Sequence, residues 1–516
     1  MCQTLLTRKK RRGNAIVSIL NGLFGKLIRS LTRAASEEKE KVEHELPFVV
    51  MIFTLMAACG ISPYDSWKRI RKLSFLPVFK KEADEVVRQV EVLGKDPLTV
   101  MSQRGEKTNS KAYRNFLGGF VSSVRSGGRI VDYMRSELKS IFEIRNISMT
   151  RSIEKIATLV EAYSVMLIVV LCAYILFVVF SASNMMQILG QTSISLSPTF
   201  AYLVAFLLMP VLSLVFILIA HNMQRSAFEN LKDIYKRALI LLIGIGAVLT
   251  IIVTVPSVSE IVRPIGIAEL FTIGLTAISL PPAILYYRVS KVNYNAEDAI
   301  PSFIREVTES QKIGLSPEKS IVQATKRKDY GYFSRFLELI QSQIEWGVPL
   351  RKTFENIRQK IRSWFVVVNF AMMVETIEIG GNSTQALEIL AEYSEKEREL
   401  QINRRQLLKP YIILAFVWSV LIAVTTTIVA LTTYLMTTVV SSSLSTVAVM
   451  GMQDQMKMFS VGIVLQCWIS GFFMGKISEG NFAAGFKHSA MLATTAYVSL
   501  VLSQWFLAGA FAIQTA

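Results

Sequence analysis

The chain has 516 residues, 52% of them hydrophobic, and a mean hydropathy of +0.41. That composition excludes an ordinary soluble protein and points to several helices placed in a bilayer. The net charge of +17 would suit nucleic acid, but no aromatic-interleaved basic patch or zinc spacing accompanies it, so no nucleic-acid partner is expected.

Residues 1–35 begin with the basic run RKKRR and continue as GNAIVSILNGLFGKLIRSL. Asn21, Lys26 and Arg29 interrupt the apolar stretch, which argues against a signal peptide. Ile16, Ile19, Leu20, Leu23, Phe24, Leu27 and Leu31 fall on one helical face. The expectation is an amphipathic helix lying on membrane lipid, with a solvated basic tail as the alternative.

Residues 36–156 read as a helical module rather than a span. The apolar stretch at 46–61 is short for crossing a bilayer, and its counterpart at 301–314 carries Arg305, Glu306, Glu309 and Lys312. That counterpart belongs to a second module at 288–410, because the two regions share their punctuation in order. GISPYDS at 60–66 is answered by GLSPEKS at 314–320, GKDPL at 94–98 by GVPL at 347–350, and Gly127, Gly128 by Gly380, Gly381. Pro47 and Pro301 each open an apolar segment at the same distance before the first glycine. Gly60 and Gly314 end a helix, Ser62 and Ser316 cap the next, and Pro63 and Pro317 stand in its first turn, where a missing N–H costs nothing. Gly347 and Pro349 punctuate the second copy in the same way.

Seven stretches are apolar enough to span a bilayer: 157–181, 199–221, 238–256 and 265–287 in a first block, then 411–437, 457–475 and 489–512 in a second block over 411–516. The expected fold is all-α: a polytopic membrane protein with two homologous cytoplasmic helical bundles and seven transmembrane helices. Lys and Arg set the orientation. Residues 1–156 hold about 29 of them against about 16 acids, whereas the loop at 182–198 has no charge. The N-terminus and both modules are therefore expected in the cytoplasm and the C-terminus outside.

Chemistry is sparse. His44, His221 and His488 stand far apart, and Cys2, Cys59, Cys172 and Cys467 have neither metal nor redox spacing. No P-loop occurs, so no catalytic residue, metal or cofactor is expected. Gln466 and Gln504 are the main polar residues deep in the spans, and no relay of charges suggests a transport path. A transporter or channel with large cytoplasmic domains is the alternative to a scaffold.

In order, duplication and membrane layout, these motifs (GISPYDS and GLSPEKS, GKDPL and GVPL, SGGRIVDYM and IGGNSTQALEILAEY) resemble the type II/type IV secretion F-domain family of membrane platform proteins. Four spans followed by three are more similar to its archaeal FlaJ/TadC-like branch than to the bacterial three-span layout. The resemblance implies a non-enzymatic platform and a homodimer. It further implies that a hexameric cytoplasmic ATPase docks on the modules and that pilin-like or archaellin subunits meet the membrane helices. Candidate contacts are the cytoplasmic charges beside the punctuation: Arg351 and Lys352 after GVPL, Glu375 and Glu378 before the second double glycine, and Arg225, Lys232, Lys236 and Arg237 in the inner loop of the first block. For each of them a solvated or orientation-setting role is the alternative.

Overall fold

The computed structural model describes residues 39, 41–73, 75–186, 204–224, 232–254, 266–326, 330–358, 360–361, 363–440 and 446–510. The expectations for residues 1–35, for the loops at 182–198 and 257–264, and for Arg225 lie outside these or largely so. No strand occurs among the described residues.

Two sets of helices follow one another in the same order. The first comprises α1 (41–58), α2 (Pro63–Lys72), α3 (Pro77–Glu91), α4 (Pro97–Lys107), α5 (Lys111–Arg125) and α6 (Ile130–Met186). A π-helical turn, Val204–Leu208, then leads into α7 (Met209–Met223), which is followed by α8 (Lys232–Thr254). Helix α9 (Ile267–Lys312) runs into the second set: α10 (Pro317–Thr325), a short 3-10 turn at Gly331–Phe333, α11 (Ser334–Glu345), α12 (Leu350–Arg358), α13 (Trp364–Ile379) and α14 (Ser383–Val440). Helices α15 (Thr446–Glu479) and α16 (Phe482–Ala510) complete the chain.

The helix ends follow from their residues. Gly60 and Gly314 carry φ of 79° and 89°, a left-handed conformation that glycine adopts without a Cβ clash. Two residues later the side chains of Ser62 and Ser316 accept the backbone N–H of Asp65 and Lys319, and Pro63 and Pro317 stand at the first helical position. The GKDPL turn works similarly: Asp96 accepts the N–H of Thr99 at 2.9 Å, ahead of Pro97. Helix α3 lacks a cap of its own, and Glu45 of α1 supplies one by accepting the N–H groups of Val78 and Phe79, both at 3.1 Å.

Three departures from expectation share a cause. Pro47 and Pro301 are buried inside α1 and α9 instead of opening helices, and Pro410 lies inside α14. Positions 156, 287 and 410, expected as boundaries, likewise fall within single helices. One lost backbone bond costs roughly 3 kcal/mol. Helices held over many turns by packing absorb that, so α6 and α14 each run unbroken from module to membrane block over about 85 Å.

The membrane block differs from expectation in number. Among the described residues five helices are long and apolar enough to cross a bilayer, within Ile130–Ala173, Phe206–Met223, Ile267–Lys312, Ser383–Val429 and Phe459–Glu479. Helices α8 and α16 occupy the other two expected spans but are not among the five. The expected count of seven is therefore not carried by length and composition alone.

The modules share one continuous apolar core. In the first, Phe53 meets Trp67, Phe116 and Phe120 edge-on at 5.1–5.8 Å. In the second, Phe370 stacks between Phe303 and Phe354 at 6.0 and 6.1 Å. Across the seam Phe48 packs edge-on against Trp364 at 4.3 Å, and the Trp364 indole N–H donates to the carbonyl of Phe75. At the far end Gly381 lies so close to the Cys59 carbonyl that a methyl group there would come within 2.9 Å of it.

The repeat continues into the membrane block. Ser213 of α7 and Gln466 of α15 are hydrogen-bonded and lie 253 residues apart; so do Gln224 and Ile477. Arg145 of α6 and Glu397 of α14 are paired at a separation of 252. These separations match the spacing of the repeat. A position touches its own counterpart only beside the axis relating two copies, so a pseudo-two-fold axis runs between α6 and α14 and between α7 and α15.

Candidate partner-contact surface

The seam between the modules is held by charge as well as by aromatic packing. Glu375, buried near the end of α13, accepts from Arg69 of α2 at 3.2 Å and from Arg351 of α12. Arg351 also pairs with Glu378 at 3.3 Å. The structure thus brings three of the sequence-derived contact residues together, but in a network facing inward that joins the modules through Arg69. Lys352 remains exposed and makes no ion pair among the described residues. Lys236 and Arg237 are exposed near the start of α8, far along the chain from this network, and Lys232 begins that helix.

A second pairing holds the two long helices. Arg145 donates to Glu397 at 2.9 Å with its guanidinium 5.2 Å from the Phe48 ring centre, and Phe142 packs on Tyr393 at 4.9 Å. Two hydroxyl–carboxylate bonds repeat between the copies: Ser110 donates to Glu43 at 3.3 Å and Ser363 to Glu297 at 2.7 Å. Burial pushes the Glu45 carboxyl up to about 7, against the opposing pull of the Phe79 and Val78 N–H groups.

Inside the membrane block the polar groups are spent on one another. Tyr163 bonds Ser470 at 2.7 Å and Ser213 at 3.2 Å, and Gln466 donates to Ser213 at 2.7 Å. The space beside Tyr163, Ser419 and Cys467 is about 20 Å³, room for about one water and no solute. Helices α15 and α16 approach closely: a methyl on Gly475 would come 2.2 Å from the Gly485 nitrogen, and one on Gly471 would meet Ser489 at 2.3 Å. The signal was present in the sequence as small residues four apart, Gly471 with Gly475 and Gly485 with Ser489. Among the described residues no group of three or more His, Cys, Asp or Glu is placed to hold a metal.

Comparison with known proteins agrees with this arrangement. The type II secretion system protein F signature matches twice, at residues 50–179 and 303–430. The chain belongs to the type II secretion system protein F family. Its members are non-enzymatic membrane platforms that work with secretion ATPases and pilin-like subunits. The second match starts inside α9 and ends inside α14, just as the first starts inside α1 and ends inside α6, so each copy carries its module and the first part of a membrane-crossing helix. A protein of Methanocaldococcus jannaschii described only as uncharacterized is similar over 493 residues at 20% identity, covering 90% of this chain and 80% of that protein. No solved structure matches.

Proposed function

We propose that this multi-pass membrane protein is the platform of a type IV filament or secretion machine and couples a cytoplasmic assembly ATPase to the insertion of pilin-like subunits. The observation that carries this reading is the continuity of α6 and α14. Each is a single helix from a packed module into the membrane block, and the two are paired through Arg145 and Glu397. A tilt imposed on a module is thereby transmitted to the bilayer without an intervening flexible joint.

In this reading the N-terminus and both modules face the cytoplasm and the C-terminus lies outside. The neutral 182–198 loop and the basic first 156 residues favour that orientation. The four-then-three layout and the methanogen relative favour the archaeal branch. Lys352, Lys236 and Arg237 are the sequence-derived contacts left free for a partner, and a homodimer would present them twice. The test is recovery of the tagged chain from its native membrane in mild detergent, with mass spectrometry of what is retained. A secretion-type ATPase and pilin-like subunits are expected. Their absence, with the ATPase abundant in the same cells, would reject the platform reading.

A further inference from the structure

Two large apolar side chains stand in solvent at equivalent positions of the repeat. Leu93, just after α3, is 60% exposed with Val92 beside it at 73%. Trp346, just after α11, is 85% exposed. Each precedes a left-handed glycine, Gly94 or Gly347, that turns the chain into the next helix. A solvated Trp or a Leu–Val pair at one tip is ordinary. The same apolar feature at both copies of a pseudo-two-fold structure marks a surface used twice.

The tips lie at the end of the protein away from the bilayer. Arg351, five residues after Trp346, is bound to Glu375 and Glu378 beside the turn that opens α14. From that turn to the apolar part of α14 near residue 411 is about 40 Å of helix. Glu91 at the first tip pairs with Lys68, next to the Arg69 that reaches Glu375, so both tips belong to the same end. That distance rules out a lipid surface as the occupant.

The free charge at the tips is positive. Glu91 is paired with Lys68, Asp96 caps α4, and Glu345 accepts from Gln341, whereas Lys95 and Lys352 make no ion pair among the described residues. The strongly basic residues 1–35 of the chain would be repelled from such a surface. We infer that the Leu93 and Trp346 tips are twin anchors for one soluble oligomeric partner, each entering an apolar socket rimmed by acids on a separate subunit of that oligomer. The partner's identity as the assembly ATPase rests on the platform reading; the twin surface does not.

Two-point attachment has a distinct signature, because each anchor raises the effective concentration of the other. The probe is the purified assembly ATPase encoded with this chain, bound to the full-length protein in nanodiscs. Leu93→Glu and Trp346→Glu are each expected to weaken binding at least tenfold, the double variant to abolish it, and Trp346→Phe to retain it, with thermal unfolding unchanged in all. Wild-type affinity in both glutamate variants would overturn the twin anchors and leave the platform reading intact. Failure of the wild-type chain to bind the ATPase would overturn both. Cross-linking of a photoreactive residue at 346 to residues 1–35 or to a second copy of the chain would also overturn the assignment.

Discussion

Replacing Glu375 should loosen the seam between the modules, and its coupling to Arg69 can be sized from the structure. The Glu375 side chain is 10% exposed, that of Arg69 31% and that of Arg351 44%. Breaking a fully buried pair costs about 3–5 kcal/mol, whereas exposed pairs contribute about 0.2–1 kcal/mol. With a buried carboxylate and half-open guanidinium groups, Glu375→Ala should cost about 2 kcal/mol, and the Arg69–Glu375 coupling should be about 1 kcal/mol. The assay is a double-mutant cycle of Arg69→Ala and Glu375→Ala on the detergent-solubilised chain, unfolded chemically and followed by tryptophan emission. Trp364 is a suitable reporter, since it stacks across the seam on Phe48 and bonds the Phe75 carbonyl. A coupling indistinguishable from zero, or a Glu375→Ala protein as stable as wild type, would refute the view that this network ties the modules together.

Other outcomes follow from the same geometry. Lys352→Glu should weaken ATPase co-purification with membrane insertion and thermal unfolding unchanged, while Arg351→Glu should lower stability because it sets a carboxylate against Glu375 and Glu378; unchanged co-purification in Lys352→Glu removes that residue as a contact. Glu45, raised from 4.5 to about 7, binds its proton more tightly folded than unfolded, so its contribution is full below about pH 4.5 and is lost as pH rises through about 7. The change is on the order of 3 kcal/mol at most, and Glu45→Gln should flatten it; parallel pH–stability curves for the two proteins would contradict the assignment. Gly475→Val should prevent α15 and α16 from closing and deplete the protein from the membrane, and wild-type levels would show that the approach is not needed.

Much of the fold was legible because helix ends are written locally. Gly60, Ser62 and Pro63 stop one helix and start another within four residues, and their echo at Gly314, Ser316 and Pro317 revealed the duplication. Proline misled where burial overrides a single lost bond: Pro47, Pro301 and Pro410 read as boundaries but lie inside helices. The contact surface was less legible. Arg69 and Glu375 are 306 residues apart, so nothing local tells that Glu375 is committed to an internal pair. Leu93 and Trp346 share no chemistry beyond being apolar, and only their common place before Gly94 and Gly347 aligns them. The axis, in contrast, could be seen only once Ser213 and Gln466 were in contact at the repeat distance.

The central claim is that the chain performs no chemistry of its own and converts the cycle of an ATPase into motion of α6 and α14. Reconstitution in nanodiscs with the assembly ATPase, measuring ATP turnover with and without the chain, tests it most directly. The account predicts no hydrolysis by the chain alone and an increased turnover of the ATPase when the chain is present. No effect on the ATPase, together with solute flux through the chain in proteoliposomes, would contradict the account and replace the platform with a transporter.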